Sequence, residues 1–204
     1  MTVRAAIFDV GKVLYDWNPR FLYRRLISDD RALDAFLSNV LTFDWHFQHD
    51  AGRPFAETSA ELIAAFPEHE ALILAWGDHN IDSIGDPMPG VHAIVEELDA
   101  AAVPLFVISN FSREFWPPFR AREAALFDRF HGFVISGDER LVKPDPAIYA
   151  LALDRFGLTA DEAFFVDDNA ANVASAAAMG IHARLFTDAA ILRRDLAAVG
   201  LLPA

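Results

Sequence analysis

The chain has 204 residues, 53% of them hydrophobic, and no cysteine. It can bury a sizeable core, while disulfides, thiolate zinc sites and a cysteine nucleophile are excluded. A formal net charge of -13 at pH 7, with no basic cluster to offset it, excludes a nucleic-acid partner and leaves any anionic substrate to be held by local devices.

The first predicted element is the apolar run from Val3 to Phe8, which has the length of a buried parallel strand. It ends on Asp9, at the strand end where open α/β sheets place their ligands. Gly11 is expected to let the chain turn tightly there and to bring backbone groups close to an ion or phosphate. Asp16-Trp17-Asn18-Pro19 breaks the pattern, and helices are predicted around Phe21 to Leu26, over Ala32 to Leu41, Phe55 to Phe66 and Glu68 to His79. Between them, Phe43 to Gly52 is aromatic-rich. The stretch 18–82 shows no strand pattern and reads as a helical insert. Gly85-Asp86-Pro87-Met88-Pro89-Gly90 reads as a linker. Helix and strand then alternate: a helix over Val91 to Ala101, a strand over Val103 to Ser109, a Pro-interrupted helix over Glu114 to Phe130, and a strand over Gly132 to Ser136. A helix over Pro146 to Phe156, a strand over Ala163 to Val166, a helix over Ala170 to Met179, a strand over Ile181 to Phe186 and a helix over Ala189 to Val199 complete the series. Such alternation predicts right-handed crossovers and a parallel sheet. No uninterrupted apolar run reaches the ~18 residues of a membrane helix, and Met1-Thr2-Val3-Arg4 leads into a strand without signal regions. The expectation is a cytoplasmic protein, a monomer or homodimer, with no membrane partner.

Four groups follow predicted strand ends: Asp9, Ser109-Asn110, Lys143-Pro144 and Asp167-Asp168. In a parallel sheet those ends share one edge, so side chains distant in sequence converge. Asp9 and Asp168, with a backbone carbonyl near Gly11, would make a hard oxygen site suited to magnesium. Asp167 and Asp168 repel each other, and a cation relieves that. Ser109, Asn110 and Lys143 can hold a phosphate and spread its charge. Taken singly, each group also has an ordinary reading: a helix cap at Asp168 or Asn169, a turn at Ser109-Asn110, a solvated loop lysine at Lys143.

Phe8-Asp9-Val10-Gly11-Lys12-Val13, Val107-Ile108-Ser109-Asn110, Val142-Lys143-Pro144-Asp145-Pro146 and Phe165-Val166-Asp167-Asp168-Asn169 resemble the four motifs of the haloacid dehalogenase (HAD) superfamily. The resemblance runs almost the whole chain. It looks closest to the small bacterial phosphatases of sugar phosphates and to the phosphatase-like amino-terminal domain of some epoxide hydrolases. It implies an α/β fold, with a Rossmann-like parallel sheet core in residues 1–17 and 83–204 and a small helical cap in residues 18–82, inserted after the first strand. Asp9 is implied as the nucleophile that forms an aspartyl-phosphate. Magnesium is implied on Asp9, the Gly11 carbonyl and Asp168, with Asp167 and Asn172 in or near its outer shell. Ser109, Asn110 and Lys143 are implied on the transferring phosphoryl group, with Lys143 also screening Asp9.

Most phosphatases of that family carry a second aspartate where this chain has Gly11, acting as general acid and base. Losing such a group typically costs ~10²–10⁴ in rate. His46 and His49, beside Trp45, Asp50 and Arg53, are candidates to move the proton from the cap. The plainer expectation is that the aromatics pack the cap helices and the histidines lie at its surface. The leading functional expectation is a magnesium-dependent phosphatase of a small phosphorylated metabolite, sugar phosphates included. The alternatives are a metal-independent 2-haloacid dehalogenase, in which Asp9 attacks carbon, and a catalytically weak binding or regulatory module. Chelation separates the first two, and a phosphoryl or beryllium fluoride adduct on Asp9 separates enzyme from module.

Overall fold

The computed structural model describes residues 2–203. Strand β1 (Ala5–Phe8) leads to β2 (Tyr15–Trp17), and helices α1 (Pro19–Tyr23), α2 (Asp30–Asn39), α3 (Phe43–Asp50), α4 (Phe55–Ala65) and α5 (Glu70–His79) precede β3 (Ile84–Pro87). Helix α6 (Val91–Ala100) returns to β4 (Leu105–Ser109), and α7 (Trp116–Arg122) with α8 (Ala124–Phe127) returns to β5 (Gly132–Ile135). Then come α9 (Ser136–Glu139), α10 (Pro146–Phe156), β6 (Ala163–Asp167), α11 (Ala170–Ala178), β7 (His182–Leu185) and α12 (Ala189–Ala198).

The main sheet has the order β5-β4-β1-β6-β7, with every pair parallel. Strand β1 is central, and its side chains alternate between two apolar clusters. Ala5 and Ile7 pack with Ile148, Tyr149 and Ala176 of α10 and α11. Ala6 and Phe8 pack with Val91, Phe119 and Leu196 of α6, α7 and α12. Both faces are covered, which is why the strands read as continuous apolar runs rather than alternating ones. The helices between β2 and β3 gather a third cluster around Tyr23, Phe36, Trp45 and Trp76, and Phe115, after β4, joins it. This is the expected α/β, Rossmann-like parallel core with a helical cap.

Two expectations are corrected. The presumed linker is largely a strand: Ile84–Pro87 pairs antiparallel with Tyr15–Trp17 in a second, two-stranded sheet. Gly85 serves a close approach there, since a Cβ would lie 2.7 Å from a ring carbon of Phe21. The helix expected over Glu114 to Phe130 is two short ones, α7 and α8, broken at Glu123. Gly11 lies within the turn after β1, which the Leu14 N–H closes on the Val10 carbonyl at 2.9 Å, and the left-handed residue of that turn is Lys12, at φ 61°. No helix among the described residues is long and apolar enough to cross a membrane.

Candidate active site

Strand β1 ends beside β4 on one side and β6 on the other, where crossovers leave the central strand in opposite directions, the place at which open sheets form a crevice. Asp9 follows β1, Ser109 ends β4 and Asp167 ends β6. Lys143 comes from the loop between α9 and α10 and is 2% exposed, so it is no solvated loop lysine.

The Lys143 ammonium bridges two carboxylates, 2.9 Å from Asp9 Oδ1 and 2.6 Å from Asp167 Oδ2, and donates to the Ile108 carbonyl at 3.0 Å. Burial alone would lower its pKa; Asp9 and Asp167 outweigh that and hold it above the usual lysine range. Asp9 Oδ1 also accepts from the Val10 N–H at 2.7 Å and from Ser109 Oγ at 2.8 Å. No protein donor among the described residues reaches its Oδ2. Burial raises the Asp9 carboxyl to about 6, with Lys143 opposing the rise.

Asp167 is fully buried and saturated: besides Lys143 it accepts from the Asn169 N–H and from Asn172 Nδ2. Asn169, not Asp168, caps α11. Asp168 is thereby left facing the cavity, its pKa raised by partial burial and by Asp167. Asp9, Asp167 and Asp168 each present a carboxylate oxygen within 4.8 Å of the others. Against three carboxylates stands one ammonium, an imbalance that a divalent cation cancels, and an all-oxygen donor set suits a hard ion such as magnesium. Asn110 also lines the cavity. Its side chain accepts from the Lys143 N–H at 2.8 Å and donates to the Lys143 carbonyl at 3.0 Å. That amide clamps the lysine loop with one of its two N–H donors, and its second N–H and its backbone N–H remain for an anion.

These groups open into a cavity of about 310 Å³. Asp9, Gly11, Ser109, Lys143, Asp168 and Asn172 line it from the sheet edge, and His46 and Asp50 line it from α3. Trp17, Phe43, Phe47, Phe111 and Phe115 supply apolar walls. The histidines are not at the surface, as the plainer expectation had it. His46 stacks on Trp17 and stands in the cavity lining, and burial holds its pKa down at about 3. His49 is fully buried away from the lining, with Nε2 2.6 Å from Thr58 Oγ1, and burial holds it at about 4. Sequence reasoning named Asp50, the next residue, only as a neighbour of the histidines: burial and then Asp9 push it up to about 8, which favours the neutral acid at pH 7. Its Oδ2 lies 3.5 Å from His46 Nε2; with both groups uncharged this is no ion pair.

Residues 3–180 match the family of haloacid dehalogenase-like hydrolases. The sesquiterpene phosphatase astK of Aspergillus oryzae is 25% identical over 199 residues, covering 92% of this chain and 91% of that protein. The (S)-2-haloacid dehalogenase 4A of Burkholderia cepacia is 32% identical over 95 residues, 46% of this chain and 40% of the other. A HAD family enzyme of Bacteroides thetaiotaomicron, solved as a magnesium complex, superposes with a TM-score of 0.70 at 16% identity, over 93% of this chain and 96% of that one.

Proposed function

The chain belongs to the haloacid dehalogenase-like hydrolases, and from that premise we propose that it is a magnesium-dependent phosphatase of a small phosphorylated metabolite, a cytoplasmic monomer or homodimer of the family's phosphatase branch. The observation that carries this reading is the cluster of Asp9, Asp167 and Asp168 around Lys143 at the sheet edge.

Asp9 attacks phosphorus through a carboxylate oxygen, and Lys143 and Ser109 keep it ionised and aimed. Lys143 also offsets repulsion between Asp9 and the incoming dianion. Asp9, Asp168 and the Gly11 carbonyl are the groups to hold magnesium, whose charge would neutralise the phosphoryl oxygens as the bond to the leaving group loosens. Asp167 holds Lys143 rather than the ion, and Asn172 holds Asp167. The Asn110 backbone N–H completes the phosphate cradle, since that of Phe111 is donated to Ser136 Oγ. The rest of the substrate lies against Trp17, Phe111 and Phe115, under residues 18–82 acting as the cap that excludes water. Both a sugar ring with an apolar face and a hydrocarbon body suit those walls.

The test is a panel of phosphate monoesters, sugar phosphates and apolar alkyl phosphates among them, with a 2-haloacid arm, each run with magnesium and with EDTA. Phosphate release that needs magnesium and disappears in Asp9→Asn is the expected result. Halide release indifferent to EDTA would replace the proposal with a dehalogenase.

A further inference from the structure

We propose that Asp50, the last residue of α3, is the general acid and base of this site and stands in for the carboxylate that Gly11 lacks; this rests on the phosphatase reading above.

The other ionisable groups around the cavity are committed. Asp9 and Lys143 are paired, and Asp168 sits in the carboxylate cluster. Lys12 Nζ is 2.5 Å from Asp16, and the Tyr15 hydroxyl donates to Glu123 at 2.9 Å. His46 resists protonation throughout the neutral range. Asp50 alone among them is a buried acid, 5% exposed, whose carboxyl makes no hydrogen bond to protein among the described residues.

Its placement suits the task. In an in-line displacement the leaving oxygen lies opposite the nucleophile, and Asp50 lines from α3 the same cavity that Asp9 lines from the sheet edge. Its main chain is fixed to the core: Ser136 Oγ donates to the Asp50 carbonyl at 2.6 Å and accepts from the Phe111 N–H at 3.0 Å. Burial, the charge of Asp9 and the carboxyl end of an α-helix all disfavour ionisation. The charged groups about it are accounted for. Asp9 and Lys143 face it from the core, Lys12 and Asp168 line the cavity with it, and His46 and His49 share its helix. Helix α9 packs on α3, with its Asp138 and Glu139 paired to Arg113 and Arg155, and Arg140 follows it.

The chemistry balances in two halves. As Asp9 bonds to phosphorus, the ester P–O bond breaks with its electron pair on the leaving oxygen, which takes the Asp50 proton and departs as the alcohol. The Asp50 carboxylate then takes a proton from water while the water oxygen bonds to phosphorus and the P–O bond to Asp9 breaks. Phosphate leaves, and both aspartates return to their starting state.

Three enzymes decide it: the parent, Asp50→Asn, and Asp50→Asn with Gly11→Asp. A Cβ at Gly11 meets only the Trp17 Cβ, at 3.9 Å, so a carboxylate can be returned to that position. Substrates are β-glycerophosphate, whose alkoxide needs a proton, and para-nitrophenyl phosphate, whose phenolate does not. In Asp50→Asn we expect kcat/KM to fall ~10²–10⁴-fold on the first and less than ~10-fold on the second, and the Gly11→Asp change to restore much of the first. In the parent, activity on β-glycerophosphate should decline above about pH 8 while that on para-nitrophenyl phosphate does not, a readout that needs no variant. Equal losses on both esters without recovery, or no loss, would overturn Asp50 alone. A parent that releases no phosphate with magnesium from either ester or from any alkyl or sugar phosphate of the panel overturns the phosphatase reading and this assignment with it; where one of the panel's esters is the better substrate, it takes the place of β-glycerophosphate.

Discussion

An ammonium buried between two carboxylates desolvates three charges at once, and the arrangement holds only while all three are present. Lys143 is in that position between Asp9 and Asp167. Lys143→Met should therefore cost ~3–5 kcal/mol in urea unfolding without magnesium, because two buried carboxylates are left uncompensated. Adding Asp167→Asn should return more than half of that loss; an unchanged midpoint in the single variant would show that the lysine is not held as described. The four strand-end groups could be read in the sequence because they recur after apolar runs, and a parallel sheet brings such ends to one edge. Asp50 could not. An aspartate ending a helix is ordinary in sequence, and its protonation follows from burial that only the folded chain creates. His46, His49 and Asp50 share one helical face, yet packing sends His49 toward Thr58 and leaves the other two in the cavity.

At the scale of elements, α3 matters most, since it carries His46 and Asp50, which line the cavity from the cap. Its end is followed by Gly52, at φ 90°, where a Cβ would lie 2.9 Å from the Gly137 carbonyl oxygen. Backbone of the cap and backbone after β5 touch there with no room for a side chain. Gly52→Ala should lower stability by ~2 kcal/mol, a drop of ~4–8 °C in Tm for a chain of this size, and should raise KM as α3 shifts. A melting curve that overlays the parent's would mean that the junction yields freely. The long helices and the five main strands were legible from period and punctuation. The ribbon of β2 and β3 was not, for two reasons. Each strand is three or four residues long and one contains Gly85 and Pro87, which locally signal a turn. The pairing also joins Tyr15 to Pro87 across the whole helical insert, beyond any local window.

For the molecule as a whole, the buried groups of α3 set opposite responses to pH. His46 and His49 are held at about 3 and 4, against ~6.5 when unfolded. Below pH 6.5 the unfolded chain binds protons that the folded chain refuses, so their contribution is complete above that pH and is lost as pH falls toward 4. Asp50, at about 8 against ~3.9 unfolded, runs the other way. Its contribution is complete below about pH 4 and is lost as pH rises to about 8, since the unfolded chain sheds a proton that the folded one keeps. Each group alters stability by ~1.4 kcal/mol per pH unit inside its window. Comparing each variant with the parent cancels the other titrations to first order. On going from pH 7 to pH 5, the parent should lose ~2 kcal/mol more than His49→Gln. On going from pH 5 to pH 8, it should lose up to ~4 kcal/mol more than Asp50→Asn, which should thus be the more stable protein at pH 8. Such a gain from a substitution that removes a proton donor is the pattern of a residue retained for chemistry at the expense of the fold. Urea midpoints across this range that run parallel for parent and variants would show that α3 holds its acid and its imidazoles in ordinary, solvated surroundings.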